Sequence, residues 1–155
     1  MPYYGPLPDT LLVDGTDIQA IDGVIVNEME LFAPGVRRGS NDVIPGRRGQ
    51  LGAELAYDAY AFSVMVTIEG PSRVDMIANL RSVAAACAGT NGLVTLTRRL
   101  SKSGGGYDTH TAAGQFVQGL GISLLNPQTG QTELQFVNLD GCWFDASAPT
   151  VPIVP

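Results

Sequence analysis

Residues 60–70 read YAFSVMVTIEG, and their alternation is the strongest constraint in the chain. Phe62, Val64, Val66 and Ile68 fall on one face, and Ala61, Ser63, Met65, Thr67 and Glu69 on the other. A period of two with one wholly apolar face predicts a strand that buries one side and leaves the other for water or a partner. Such a strand needs neighbours to pair with and a layer to pack on. The composition points the same way. The 155 residues include 19 Gly and 10 Pro, which implies many turns. Charged residues are 15% of the chain, against roughly 25% in an average domain. Low charge with high turn content suits a β domain, and a surface partly covered by other subunits. A chain of this length makes one domain and buries about 68–70% of its extended surface, so its core needs no staples.

Other segments follow the same logic. Thr10–Asp14 is a short strand candidate, and Gly15-Thr16-Asp17 a turn. Gly23–Phe32 (GVIVNEMELF) reads as a strand, with Val24, Val26, Glu28 and Glu30 on one face and Ile25, Asn27, Met29 and Leu31 on the other. Gly92–Leu100, Thr109–Ala113 and Gln115–Leu125 continue as strands, around a flexible tip at Ser101–Gly106. Asn126-Pro-Gln-Thr-Gly130 marks a hairpin turn, and Thr132–Leu139 returns antiparallel. Residues 1–9 read as an extended N-terminal arm, and residues 147–155 as a Pro-rich tail.

One helix interrupts the strands, over Pro71–Ala88. Ser72 is its N-cap, Asp75 completes a capping-box variant, and Gly89 stops it. Met76, Ile77, Leu80, Val83, Ala84 and Cys87 recur at helical spacing and make a stripe for the core. Arg73 and Arg81 face away.

The net charge is −6, and the charges are segregated. From Asp9 to Glu30 come Asp9, Asp14, Asp17, Asp22, Glu28 and Glu30 with no base between them. Arg37, Arg38, Arg47 and Arg48 follow, with only Asp42 among them, on a Gly-rich stretch at 33–52 that cannot pack a core of its own. A structureless stretch of that length inside a compact domain is uncommon and usually functional or disordered. Arg98, Arg99 and Lys102 form a second basic group. Separate acidic and basic regions suit either a solvated surface or head-to-tail assembly. The overall acidity argues against a DNA-coating role, which needs many phosphate contacts.

The chemistry-bearing motifs are missing. His110 is the only histidine and has no second ligand in metal spacing, so it reads as an exposed or strand histidine. Gly-x-Ser-x-Gly, His-Glu-x-x-His and Cys-x-x-Cys do not occur, and GRRG lacks the phosphate-loop pattern. Glu28 and Glu30 share a strand with no histidine or pocket nearby, so they read as a wall rather than an acid–base pair. Cys87 and Cys142 read as buried free thiols. The expectation is a non-enzyme without cofactor or metal. MPYYGPLPD does not resemble a secretion signal, and no apolar run reaches the roughly 18 residues of a membrane span, so a soluble, cytoplasmically made protein is expected.

The order of these features resembles a known family. A hairpin start leads to a strand and the arm VRRGSNDVIPGRRGQLG, then an apolar strand, a helix opening PSRVDMIANLRSV, LVTLTRR, and an antiparallel pair closing on LDGCWFD. This resembles the tail-tube and distal-tail proteins of long-tailed bacteriophages (siphoviruses) over residues 10–146, most specifically in Ile44–Leu51, IPGR-x-G-x-L. The resemblance implies an antiparallel β-sandwich or barrel with one flanking helix at 72–88 and a long loop at 33–52. It implies homohexameric rings that stack into a tube conducting DNA from capsid to host. The chain's end at Pro155, without an extra domain, favours the tube, and a distal tail protein forming one ring at the tip is the alternative. The loop would reach a neighbour through Arg37, Arg38, Asp42, Arg47, Arg48 and Gln50. Glu28, Glu30 and Glu69 would face the lumen, where acidity repels phosphate. Other tail proteins (tape measure, tail tip or terminator) would be partners, DNA would pass transiently and without sequence preference, no membrane would be involved, and the protein would end in the virion tail. A more remote reading is a monomeric carbohydrate-binding β-sandwich with Tyr3, Tyr4, Trp143 and Phe144 as an aromatic platform.

Overall fold

The computed structural model describes residues 8–31, 37–38, 41–42, 51–52, 56–57, 59–117 and 121–153, with the backbone alone for the pairs between 37 and 57 and for 148–153. The strands are β1 (Thr10–Val13), β2 (Thr16–Asp17), β3 (Val24–Met29), β4 (Arg37–Arg38), β5 (Asn41–Asp42), β6 (Leu51–Gly52), β7 (Ala56–Tyr57), β8 (Tyr60–Glu69), β9 (Leu93–Ser101), β10 (Tyr107–Phe116), β11 (Ser123–Asn126), β12 (Thr129–Asn138), β13 (Trp143–Asp145) and β14 (Ala148–Ile153). One helix, α1 (Arg73–Ala88), lies between β8 and β9.

The main sheet runs β2-β1-β9-β10-β12-β8-β3, antiparallel throughout, with β11 on β12 and the β13–β14 pair on β10. Strands at its two ends feed one core: Leu11 and Val13 of β1 share a buried cluster with Val24 and Val26 of β3. The sheet therefore curls over a common interior, as a sandwich does. Phe62, Val64, Val66 and Ile68 fill the middle of that cluster, on the face that alternation assigns. Their neighbours on β12 and β9 are Leu134, Phe136, Val94 and Leu96.

The helix closes the interior. Met76, Val83 and Cys87 are buried in the same cluster, and Ile77 and Leu80 pack against it. Ser72 caps the helix, its hydroxyl accepting from the Asp75 amide at 3.2 Å and donating to the Asp75 carboxylate at 2.6 Å. Gly89 ends it at φ 57°, ψ −161°, a region that only glycine occupies without strain. A Cβ there would lie 2.2 Å from the Leu93 carbonyl oxygen. Gly89→Ala is expected to cost about 2–3 kcal/mol, a fall of roughly 4–12 °C in Tm. A thermal scan checks this, and a Tm within a degree of wild type would remove the argument.

Several boundaries differ from the sequence expectation. The first turn is Asp14-Gly15, both at positive φ (49° and 83°), as a type I′ hairpin requires, and Thr16–Asp17 is already strand. Thr109–Ala113 belongs to the single strand β10, which ends at Phe116, and β11 is a separate strand. The hairpin between β11 and β12 turns on Pro127-Gln128, with the Asn126 side chain accepting from the Gln128 amide at 2.8 Å.

Two corrections are larger. The 33–52 stretch is not without structure: Arg37 pairs with Tyr57 and Arg38 with Ala56, and Asn41 pairs with Gly52 and Asp42 with Leu51. These registers nest, one pair within the other. The face assignment in β3 also fails beyond Val26. A bulge at Asn27 shifts the register, so Val26 opposes Val66 but Glu28 opposes Met65 and Met29 opposes Val64. Met29 therefore turns inward to pack on the core, Leu31 is buried, and Glu28 joins Ile25 on the outer face.

Candidate functional site

The bulge gathers the acids. Glu28 lies across from Met65, which lies across from Glu133 of β12. Glu30 joins the same side: its amide donates to the Ser63 carbonyl at 3.1 Å, and its Oε2 accepts from the Ser63 amide at 2.9 Å. Glu69 opposes Thr129 at the far end of β8. All four carboxylates are exposed. Between them stand Thr67, Gln131, Gln135 and Asn27, whose amide donates to the Thr67 hydroxyl at 2.7 Å. Among the described residues this three-strand outer face carries no lysine or arginine. Neighbouring strands lie about 4.8 Å apart, so Glu28 and Glu133 stand roughly 10 Å from each other and act together on an approaching charge. The structure thus places the three candidate lumen residues Glu28, Glu30 and Glu69 on one face, and adds Glu133, which the sequence reading missed. Its signal was available in the alternation of Gln131, Glu133 and Gln135 opposite buried Thr132, Leu134 and Phe136.

At the Leu93 end of β9 and β10 the same face carries exposed apolar side chains. Leu93, Gln115 and Val137 form one cross-strand row, and Val117 and Leu139 flank it. Leu93, Val117 and Leu139 are exposed. Beside the acidic part, the outer surface therefore carries a small apolar patch, bordered by Thr95, Gln115 and, further along β9, Arg99.

The candidate interface set divides. Arg37 and Arg38 form β4, and Asp42 lies in β5, with only their backbones described. Arg47, Arg48 and Gln50 lie outside the described residues, as do Tyr3 and Tyr4. The aromatic platform loses Trp143, which is buried within the core cluster.

A buried polar cluster went unread in the sequence. Arg98 belongs to the second basic group, yet it is 5% exposed, so the solvated reading fails for it. Its Nη1 donates to the Leu31 carbonyl at 2.6 Å and its Nε to His110 Nδ1 at 3.0 Å. Its guanidinium lies 4.7 Å over the Trp143 ring. The Trp143 indole donates to the Tyr60 hydroxyl at 2.8 Å, and Asn138 links that hydroxyl to the Cys142 carbonyl. Burial lowers the Arg98 pKa, with Tyr60 opposing. Arg99 and Lys102 remain exposed, Lys102 paired with Asp108 at 2.8 Å.

Both cysteines are free and buried, and burial pushes the Cys87 thiol up to about 12. Among the described residues, no three His, Cys, Asp or Glu side chains are grouped so as to hold a metal ion. No described helix is long and apolar enough to cross a membrane.

No family model matches the sequence. No curated protein matches it either. Solved structures do. The SPP1 Dit (gp 19.1) protein is described as a paradigm of the hub adsorption apparatus in Gram-positive-infecting phages. It superposes with a TM-score of 0.59 at 16% identity, over 88% of this chain and 52% of that one. The chain spans about half the length of that protein. At this identity the likeness is one of fold. The mainly antiparallel sheet with a single α-helix among the described residues is a β-sandwich fold like that of SPP1 Dit.

Proposed function

We propose that this chain is a structural, non-enzymatic protein of a bacteriophage tail, which closes with copies of itself into a six-membered ring around the path of the DNA. The observation that carries the reading is the outer face of β3, β8 and β12, where four carboxylates and uncharged polar groups stand without a base among the described residues. A channel lined this way repels phosphate and offers it no counterion-releasing contacts, so DNA slides without binding. The adjoining apolar patch of Leu93, Val117 and Leu139 suits contact with the next subunit. The basic segment carrying Arg37 and Arg38 in β4, paired with β7, reaches a neighbour's acidic surface. Tape measure, tip or terminator proteins of the tail would bind the ring's ends, and the ring would assemble in the bacterial cytoplasm.

The likeness in fold to SPP1 Dit, described as a hub adsorption protein, supports a structural role in a phage tail, and a single ring at the tip is consistent with it. A stacked tube is the other form of the same reading. Negative-stain microscopy of the purified chain over a range of concentrations tests both. Single six-fold rings that never stack support the tip ring, and long striated hollow tubes support the tube. Monomers at every concentration would count against a self-assembling ring.

A further inference from the structure

We propose that His110 is a two-position switch: neutral, it accepts a hydrogen bond from buried Arg98 beneath Trp143; protonated, it turns into the adjoining polar cleft toward Asp108 and Asp145.

The first position is fixed by chemistry. An imidazole nitrogen that accepts a hydrogen bond carries no proton, and His110 Nδ1 accepts from Arg98 Nε at 3.0 Å. A proton added at Nδ1 would set N–H against N–H and cation against cation. Arg98 cannot withdraw, because the Leu31 carbonyl and the Trp143 ring hold it in the interior. The histidine is the group that can move. It is half-buried and forms part of the wall of a cleft of about 320 Å³, lined also by Lys102, Asp108, Asp145 and Ser147.

The second position is built from two strands. Asp108 stands two residues from His110 on β10, on the same face, and Asp145 opposes His110 in the β10–β13 register. Asp145 Oδ1 accepts from the Ser147 amide and hydroxyl and Asp108 holds Lys102 at 2.8 Å, so both carboxylates are engaged, and it is their negative charge beside the cleft that draws an imidazolium. Among the described residues, the charged and titratable groups facing this site are Arg98 from β9, Lys102 from the turn after it, Asp108 from β10, Asp145 from β13 and Tyr60 from β8, behind Arg98.

The sign of the pH effect follows. Burial and then Arg98 lower the His110 pKa, against the opposing pull of Asp108 and Asp145. A lowered value means that the folded chain binds fewer protons than the unfolded one. This contribution to stability is present above the unfolded value of about 6.5 and is lost as pH falls through the folded value. Turning outward relieves part of that loss and changes what lies over the indole.

The test is unambiguous because the chain holds one histidine and one tryptophan. Imidazole ¹⁵N shifts and Trp143 emission are followed from about pH 8 down to about pH 4. The expected result is a neutral His110 with Nδ1 unprotonated at high pH. Trp143 emission then changes in step with the His110 titration, below about pH 6.5 and with far-UV circular dichroism unchanged. In His110→Gln, whose side-chain oxygen can accept from Arg98 without titrating, the emission step disappears. In Asp108→Asn/Asp145→Asn the midpoint moves to lower pH. Emission that stays flat while His110 titrates in the folded chain would overturn the proposal. So would a protonated Nδ1 at pH 8, or unfolding before His110 titrates.

Discussion

Replacing Phe136 by alanine should lower the free energy of unfolding by about 3–5 kcal/mol. Phe136 is fully buried and sits mid-strand in β12, between Phe62 of β8 and Phe116 of β10. Its ring centroid lies 5.6 Å from Phe62 in a stacked contact and 5.5 Å from Phe116 in a tilted one. Phe62 in turn meets Trp143 at 6.2 Å. The three phenylalanines form a row across the sheet, and the middle one has no water to replace its contacts when it is removed. The surrounding backbone is a ladder of three paired strands and cannot collapse into the gap, so transfer and cavity terms add. At about 2–4 °C per kcal/mol for a chain of this size, the melting temperature should fall by roughly 6–20 °C. Urea unfolding, read by the midpoint with an unchanged slope, measures it. A loss below about 1 kcal/mol would mean that this row is not the centre of the core.

That row shows what the sequence makes legible. The alternation in 60–69 assigns all four inward residues of β8 correctly, because a regular ladder converts period two directly into faces. The Ser72 cap and the helical stripe are equally local, and both are present. The misreadings begin where an element's geometry depends on its neighbours. Asn27 bulges because of how β3 meets β8, and one extra residue moves Glu28 to one face and Met29 to the other. The nested pairs between 37 and 57 bring together residues up to 20 apart across a Gly-rich segment with no alternation to read. Arg98 was hidden by its company. Beside Arg99 and Lys102 it looks like one of a solvated group, and its partners Leu31 and His110 lie 67 and 12 residues away. One signal was there: Val94, Leu96 and Arg98 alternate, which puts the guanidinium on the inward face of β9. A charge on an apolar face needs buried partners, and the only histidine and the only tryptophan supply two of them.

If the acidic face lines the proposed channel, reversing its charge should make an assembly that holds DNA. The variant is Glu28→Lys/Glu69→Lys/Glu133→Lys. Glu30 is left alone because its carboxylate accepts from the Ser63 amide, and losing that bond would mix a structural effect into the result. The three chosen side chains are exposed, so the variant should fold with a melting temperature close to wild type. Wild-type assemblies are expected not to retain duplex DNA at physiological salt. Each copy of the variant changes its face by three carboxylates and three ammonium groups, and a ring concentrates these around one axis. If roughly 6–10 phosphates are contacted, affinity should fall about 10³- to 10⁵-fold between about 50 and 200 mM salt, the mark of counterion release. Three glutamines at the same positions, which remove the repulsion without adding attraction, should give little or no binding. Filter retention across a salt series, run on assembled material, separates the cases. Strong salt-dependent retention in the lysine variant alone shows that this face stays open to DNA in the assembly, as a lumen wall must. Assembled variant rings that retain no more DNA than wild type would put the acids out of reach of DNA, covered by a neighbouring subunit or ring. The lumen would then have to be assigned to another surface of the sheet.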